Sequence, residues 1–315
     1  MIFDDIGSFP LPEGITREWV NANLNTKEYA EMVKRAFLMK VNAGVDVPTY
    51  PQFRDMNEMF LDLIKNPKYQ EDVYVIRREY ARIREVEAIL EMDVKAMRVC
   101  ITGPFELYYK EFGPVIYDDA LEKIGISISR FIENLDSDVV KCVSLDEPSL
   151  GTNPELQPTK EQIQLAYEKI DFPGDVQIHL HSPLFYTEVL DVEQINVIGI
   201  ESARDEKAMD FVDREDLESY DKYLRVGVGR SDIDGIIAEY NSKHGVNVWG
   251  DSEGMMRAID EVESPERIRG RIERAIKLFE DRLKYIGPDC GLFSFPSQEH
   301  AVRILENINR AREML

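Results

Sequence analysis

The feature that most constrains this chain is a rhythm. Eight short β-type runs alternate with amphipathic helical stretches along nearly all of its 315 residues. The runs are Met1 to Ile6, Val45 to Val47, Ala96 to Ile101, Val139 to Leu145, Val176 to Leu180, Asn196 to Ile200, Leu224 to Val228, and a last one opening at Tyr285-Ile286. Eight strand–helix repeats are the pattern of an α/β chain that closes as a single (β/α)8 TIM barrel over residues 1–315. A doubly wound open sheet competes with it. Against the open sheet, no Gly-x-Gly-x-x-Gly follows the first run. The unusual polar residues also lie just after nearly every run, where a barrel gathers its active site. Helices are expected at about Glu28 to Val41, Met56 to Ile64, Val73 to Leu90, Leu121 to Leu135, Thr159 to Ile170, Ile268 to Leu283 and Glu299 to Met314. The third is the longest, and its Arg/Glu-rich face reads as solvated. His244 and His300 read as surface residues, and Gly151 to Thr159 as a long loop.

Charge and cysteine usage narrow the function class. Lys and Arg total 38 against 60 Asp and Glu, a formal charge of -22. A surface this acidic repels phosphate backbones and anionic lipid, which argues against nucleic-acid and membrane partners. Three cysteines, Cys100, Cys142 and Cys290, are too few and odd in number for a disulfide framework and point to a reducing compartment. The opening MIFDDIGSFP has no basic n-region and no long apolar run. A cytoplasmic location is the expectation.

The chemistry is concentrated in four side chains. His179 and His181 stand at i and i+2 at the end of the fifth run, a spacing that puts both imidazoles on one face of a strand. Glu201 and Cys290 follow the sixth and eighth runs. A barrel brings these N, N, O and S ligand atoms to one rim. Ligands scattered from 179 to 290 suit a catalytic metal such as zinc better than a structural site, which draws on cysteines close in sequence. Such a metal lowers the pKa of a bound thiol or of a bound water, so S-alkylation and hydrolysis are both open on this reading. Cys100 and Cys142 read as barrel core.

Taken in order, several motifs resemble the catalytic C-terminal barrel of cobalamin-independent methionine synthase, and the single-barrel archaeal type most of all. They are Ile6-Gly7-Ser8-Phe9-Pro10; Asp55-Met56 with Glu58 and Phe60; Thr102-Gly103-Pro104; Asp146-Glu147-Pro148; His179-x-His181; Ile200-Glu201-Ser202 followed by Arg204; and Pro288-Asp289-Cys290-Gly291-Leu292. The resemblance implies a methyltransferase that binds Zn2+ through His179, His181, Glu201 and Cys290 and methylates homocysteine to methionine. It implies that Ile6, Gly7, Ser8 and Asp146 hold the amino acid. His181 stands where the family has cysteine. Thr49-Tyr50-Pro51-Gln52 stands where the family has Gly-Glu-Pro-Glu, so Gln52 or Tyr50 takes over the missing glutamate's contact. Asp234 is the nearest match to a histidine that protonates the departing group. A chain long enough for one barrel only implies a methylcorrinoid, free or on a corrinoid protein, as the methyl source in preference to methyltetrahydrofolate. Coenzyme M as the thiol, a metal hydrolase, and a non-catalytic binding protein are the alternatives.

Overall fold

A computed structural model describes all residues, Met1–Leu315. Seven parallel strands form one curved sheet: Ile2–Phe3, Met97–Thr102, Val140–Asp146, Asp175–Leu180, Val197–Ile200, Tyr223–Gly229 and Leu283–Pro288. The first pairs with the last through Ile2 with Tyr285 and Phe3 with Ile286. The remaining gap, between Ile2–Phe3 and Met97–Thr102, is filled by residues 47–52. Single bridges hold this second stave: Asp4 with Val47, Ser8 with Gln52, and Thr49 with Arg98. Pro48 and Pro51 explain why it never becomes a ladder, since proline offers no backbone N–H. With it the barrel closes: seven expected runs become strands, and the second stave lies at 47–52, shifted along the chain from the expected Val45 to Val47. No helix is long and apolar enough to cross a membrane.

The helices bury one face each against this barrel. Lys27–Asn42 is capped by Thr26 and buries Tyr29, Met32, Val33, Ala36 and Phe37. Pro265–Phe279 starts with Ser264 as cap and proline in its first turn, and buries Ile268, Ile272, Ala275 and Phe279. Helices missed by the sequence reading are Arg17–Asn23, Pro104–Phe112, Arg214–Ser219, Ile233–His244 and Ser252–Val262.

The barrel interior is not purely apolar. Asp4 pairs with Arg98, and its other oxygen takes Arg225 Nε at 3.0 Å. Arg98 reaches on to Gln177 at 3.0 Å, while Arg225 Nη2 donates to the Pro288 carbonyl at 2.6 Å. Arg225 thus ties the strand end before Cys290 to the first stave. Cys100 and Cys142 are fully buried, as expected.

Three expectations need correcting. No continuous helix runs from Val73 to Leu90. The stretch is a small hairpin, Gln70–Asp72 with Val75–Ile76, then a 3-10 turn Arg78–Tyr80 and a short helix Arg84–Leu90. The Ile76 N–H is taken by Ser127 Oγ at 2.9 Å, and that hydroxyl donates to the Tyr74 carbonyl at 2.6 Å. These tertiary bonds override local helix propensity. Glu85, assigned to a solvated face, is fully buried. His300 is also buried, its ring bonded to Ser297 Oγ at 2.9 Å and the Ser252 carbonyl at 3.0 Å. His244 stays at the surface beside Glu261.

Candidate metal and thiol site

The strand ends assemble the site in the way barrel geometry requires. Asp146 is the last residue of its strand and pairs in register with His179, which pairs with Gly199. His181, Glu201 and Cys290 each follow the end of a strand. Ligand atoms of His179, His181, Glu201 and Cys290 all lie within 4.8 Å of one another. His179 Nε2 is 3.8 Å and His181 Nε2 3.5 Å from Glu201 Oε1, and Cys290 Sγ is 3.5 Å from His181 Nε2. The four residues first picked from three separated segments therefore form one cluster.

Electrostatics argue that a cation fits there. Both ring nitrogens of His179 are buried without a hydrogen-bond partner, which leaves a desolvated imidazole about 1–3 kcal/mol short per orphaned group. Burial pushes His179 well below the usual imidazole pKa, so its lone pair is free. Burial likewise lowers His181, raises Glu201 to about 7, and pushes the Cys290 thiol up. Taken alone the cluster is forced towards neutrality. A divalent cation reverses that, drawing Glu201 and Cys290 into their anionic forms. One carboxylate and one thiolate together balance its formal charge. The N, N, O, S set suits a borderline metal such as zinc.

Two glycines permit the close approach that fixes the cluster. A Cβ on Gly291 would lie 1.9 Å from Ser8 Oγ, so only glycine lets the Cys290 loop meet the first stave. Leu292 N–H seals that contact on the Ser8 carbonyl at 2.8 Å. A Cβ on Gly227 would lie 2.2 Å from Asp289 Oδ1. Into that space Asp289 projects its carboxylate, which accepts N–H bonds from Ser202 (2.8 Å), Ala203 (2.8 Å) and Arg204 (3.1 Å). It locks the loop after Glu201 to the residue before Cys290. Asp289 belongs to the Pro288-to-Leu292 motif, which by itself assigns it no role.

Beside the cluster opens a cavity of about 280 Å³ lined by Ile6, Ser8, Gln52, Asp146, His179, His181 and Cys290, with Arg17, Arg54, Asp55, Met56, Pro148, Gly291 and Phe293. Of the residues expected to hold the amino acid, Ile6, Ser8, Gln52 and Asp146 reach it, while Gly7 serves as backbone between two of them. Burial raises the Asp146 carboxyl, which accepts from Ser144 Oγ at 2.7 Å. Tyr50 does not reach the cavity: it is buried and donates to the Cys100 carbonyl at 2.7 Å. Asp234 does not reach it either. It sits exposed in the first turn of Ile233–His244. Glu147 faces away from the cavity, accepting from Phe105 N (3.1 Å), Glu106 N (2.7 Å) and Tyr167 Oη (2.8 Å). It anchors the helix that Gly103-Pro104 begins. Arg17, Arg54 and Phe293 were missed; Arg54 stands next to a quoted motif, whereas nothing local marks the other two.

No family model matches the chain. Individual relatives do. A "methionine synthase" of Thermoplasma acidophilum is 23% identical, the match covering 99% of this chain and 97% of that protein. One of Sulfolobus acidocaldarius is 24% identical, covering 92% and 85%. A "5-methyltetrahydropteroyltriglutamate–homocysteine methyltransferase" of Thermotoga is 22% identical over 98% of this chain, which spans only 44% of that longer protein. In fold, a B12-independent methionine synthase of Shewanella, solved with selenomethionine, superposes with a TM-score of 0.64 at 13% identity, covering 99% of this chain and 96% of the other. In sequence the chain is similar over nearly its whole length to proteins named methionine synthase, and in fold it is similar to a B12-independent methionine synthase, a TIM barrel.

Proposed function

We propose that this chain is a homocysteine S-methyltransferase that forms methionine. The observation that carries the reading is the convergence of His179, His181, Glu201 and Cys290 into one cluster, three of whose members, His179, His181 and Cys290, line a cavity together with Ser8 and Asp146. The relatives' names, methionine synthase and homocysteine methyltransferase, support it. A zinc ion held by those four residues would supply Lewis acidity, lowering the pKa of the substrate thiol so that it is present as thiolate, the attacking form.

The chain's own residues do the rest. Asp146, buried at the strand end, offers a carboxylate to the substrate ammonium, and that cation in turn favours its charged form. Ser8 and the backbone around it hold the amino acid against the Cys290 loop. Burial excludes water around His179 and Asp146, which strengthens each polar contact made there. His181 in place of a cysteine leaves a single protein thiolate, Cys290. For the methyl source, the Thermotoga relative's name specifies 5-methyltetrahydropteroyltriglutamate. The methylcorrinoid expected from the sequence finds no support among the relatives, so we take the reduced folate as the methyl source.

The test combines metal content, X-ray absorption at the metal edge, and a methyl-transfer assay. The expected result is one equivalent of zinc, sulfur coordination that rises on adding homocysteine, and methionine formed from 5-methyltetrahydropteroyltriglutamate in preference to methylcobalamin. Metal coordination indifferent to homocysteine, with no methionine from either source, sinks the reading.

A further inference from the structure

We propose that Arg54 is the specificity residue that reads the carboxylate of the substrate, a role neither the relatives' names nor the sequence motifs assign. The proposal rests on the methyl-transfer reading above and names how its thiol substrate is selected.

The argument begins with how Arg54 is mounted. Its side chain is 9% exposed and its partner Glu85 is 0% exposed. Arg54 Nε donates to Glu85 Oε1 at 2.8 Å and Nη2 to Oε2 at 2.7 Å, a two-point grip that fixes the guanidinium plane. Tyr29 Oη donates to the same Oε1 at 2.5 Å, so Glu85 has no freedom to turn away. Of the five N–H groups of a guanidinium this engages two. Nη1 makes no hydrogen bond within the protein, and Arg54 lines this cavity and two further hollows next to it. A largely buried cation held rigid on one edge, with Nη1 unpaired, is suited to an anion.

The rest of the cavity says which anion. Asp55 is committed: its Oδ1 caps Asn57 N at 2.9 Å and Glu58 N at 3.1 Å, and it lies 3.8 Å from Arg17. Arg17 is half exposed and stacks over Phe293 at 4.4 Å. Gln52 is neutral. Among the charges that remain, Asp146 and Arg54 are the covered and fixed ones, one of each sign, whereas Arg17 makes no hydrogen bond and is half exposed. That pair complements the ammonium and carboxylate of a zwitterionic amino acid whose thiol reaches Cys290 and the imidazoles.

The experiment compares L-homocysteine with its methyl ester and with 4-mercaptobutyrate, in the wild type and in Arg54→Gln and Arg54→Lys, using kcat and KM and, separately, ligand binding by calorimetry. In the wild type the ester is expected to lose about 100-fold in kcat/KM, mainly through KM, because it leaves the guanidinium edge unpaired. Arg54→Gln should bring homocysteine down to the level of the ester and leave the ester unchanged. Arg54→Lys should recover part of the loss. Wild-type enzyme that takes acid and ester alike overturns the proposal, and this arm holds even if Arg54→Gln fails to fold. So does a folded Arg54→Gln that weakens acid and ester equally. Preferential wild-type binding of homocysteine and 4-mercaptobutyrate over the ester, lost in Arg54→Gln without methyl transfer from either source, would sink the methyl-transfer reading and uphold the role of Arg54.

Discussion

The two sides of the barrel mouth are built on different terms. On one side, regular parallel strands end in His179, His181, Glu201 and Cys290, and loop contacts from Asp289 lock them together. On the other, a stave of single bridges carries Gln52 and leads into Arg54, whose position depends on Glu85 in a separate segment. The first side fixes four metal-capable atoms at strand ends, within 4.8 Å of one another. The second holds charge in place by pairing it. A metal demands fixed positions whatever the substrate, whereas recognition of an amino acid can be met by several side chains.

Breaking the first side should have the largest effect. Cys290→Ala removes the one thiolate ligand, and metal affinity measured by chelator competition should fall by more than about 100-fold, beyond what loss of a supporting residue does. Methionine formation should fall with it. Asp289→Ala leaves all four ligands in place but frees three N–H groups in a buried loop. Metal affinity should drop roughly 10–100-fold, with a stability loss of about 1–3 kcal/mol read from urea titration. Unchanged metal affinity would show that the two loops are held by something other than this carboxylate.

The second side is sharpened by pH. Burial alone would raise the Glu85 carboxyl, but the Arg54 charge, its hydrogen bonds and that of Tyr29 outweigh burial and hold it below the usual carboxylate value of 4.5. A carboxylate with a depressed folded-state pKa contributes stability that is present above its unfolded pKa and is lost as pH falls through the folded one. Melting temperature should therefore decline in the wild type below about pH 4.5. In Glu85→Gln that decline should be shallower, from a lower starting stability at pH 7. Parallel declines in the two proteins would mean that Glu85 carries no such linkage.

The contrast also explains what was legible beforehand. The eight-run rhythm specified the barrel because strand periodicity and helix periodicity are local signals. The ligand cluster was legible for the same reason: His179-x-His181 needs only the two-residue pleat, and Glu201 and Cys290 need only to follow a run. Arg54 was not, since its mount on Glu85 crosses 31 residues and the Val73 to Leu90 stretch reads as one helix until Ser127 captures its backbone. Asp289 was visible as a neighbour of Cys290, but its grip on Ser202, Ala203 and Arg204 spans more than 80 residues. Asp234 rests only on being the nearest match to a family histidine after the seventh run, and the start of Ile233–His244 turns it towards solvent.

The proline-bearing second stave has one more consequence. In a laddered strand, changing one residue is constrained by the whole register, because a slip of one position turns every side chain to the opposite face. Residues 47–52 are pinned at separate points and stiffened by Pro48 and Pro51, so no ladder has to be kept in step. A substitution there has no ladder to throw out of step with the closure of the barrel. This is where Thr49-Tyr50-Pro51-Gln52 departs from the Gly-Glu-Pro-Glu of the family it resembles, so the lining of the cavity can change at this seam while the cluster of His179, His181, Glu201 and Cys290 stays where it is.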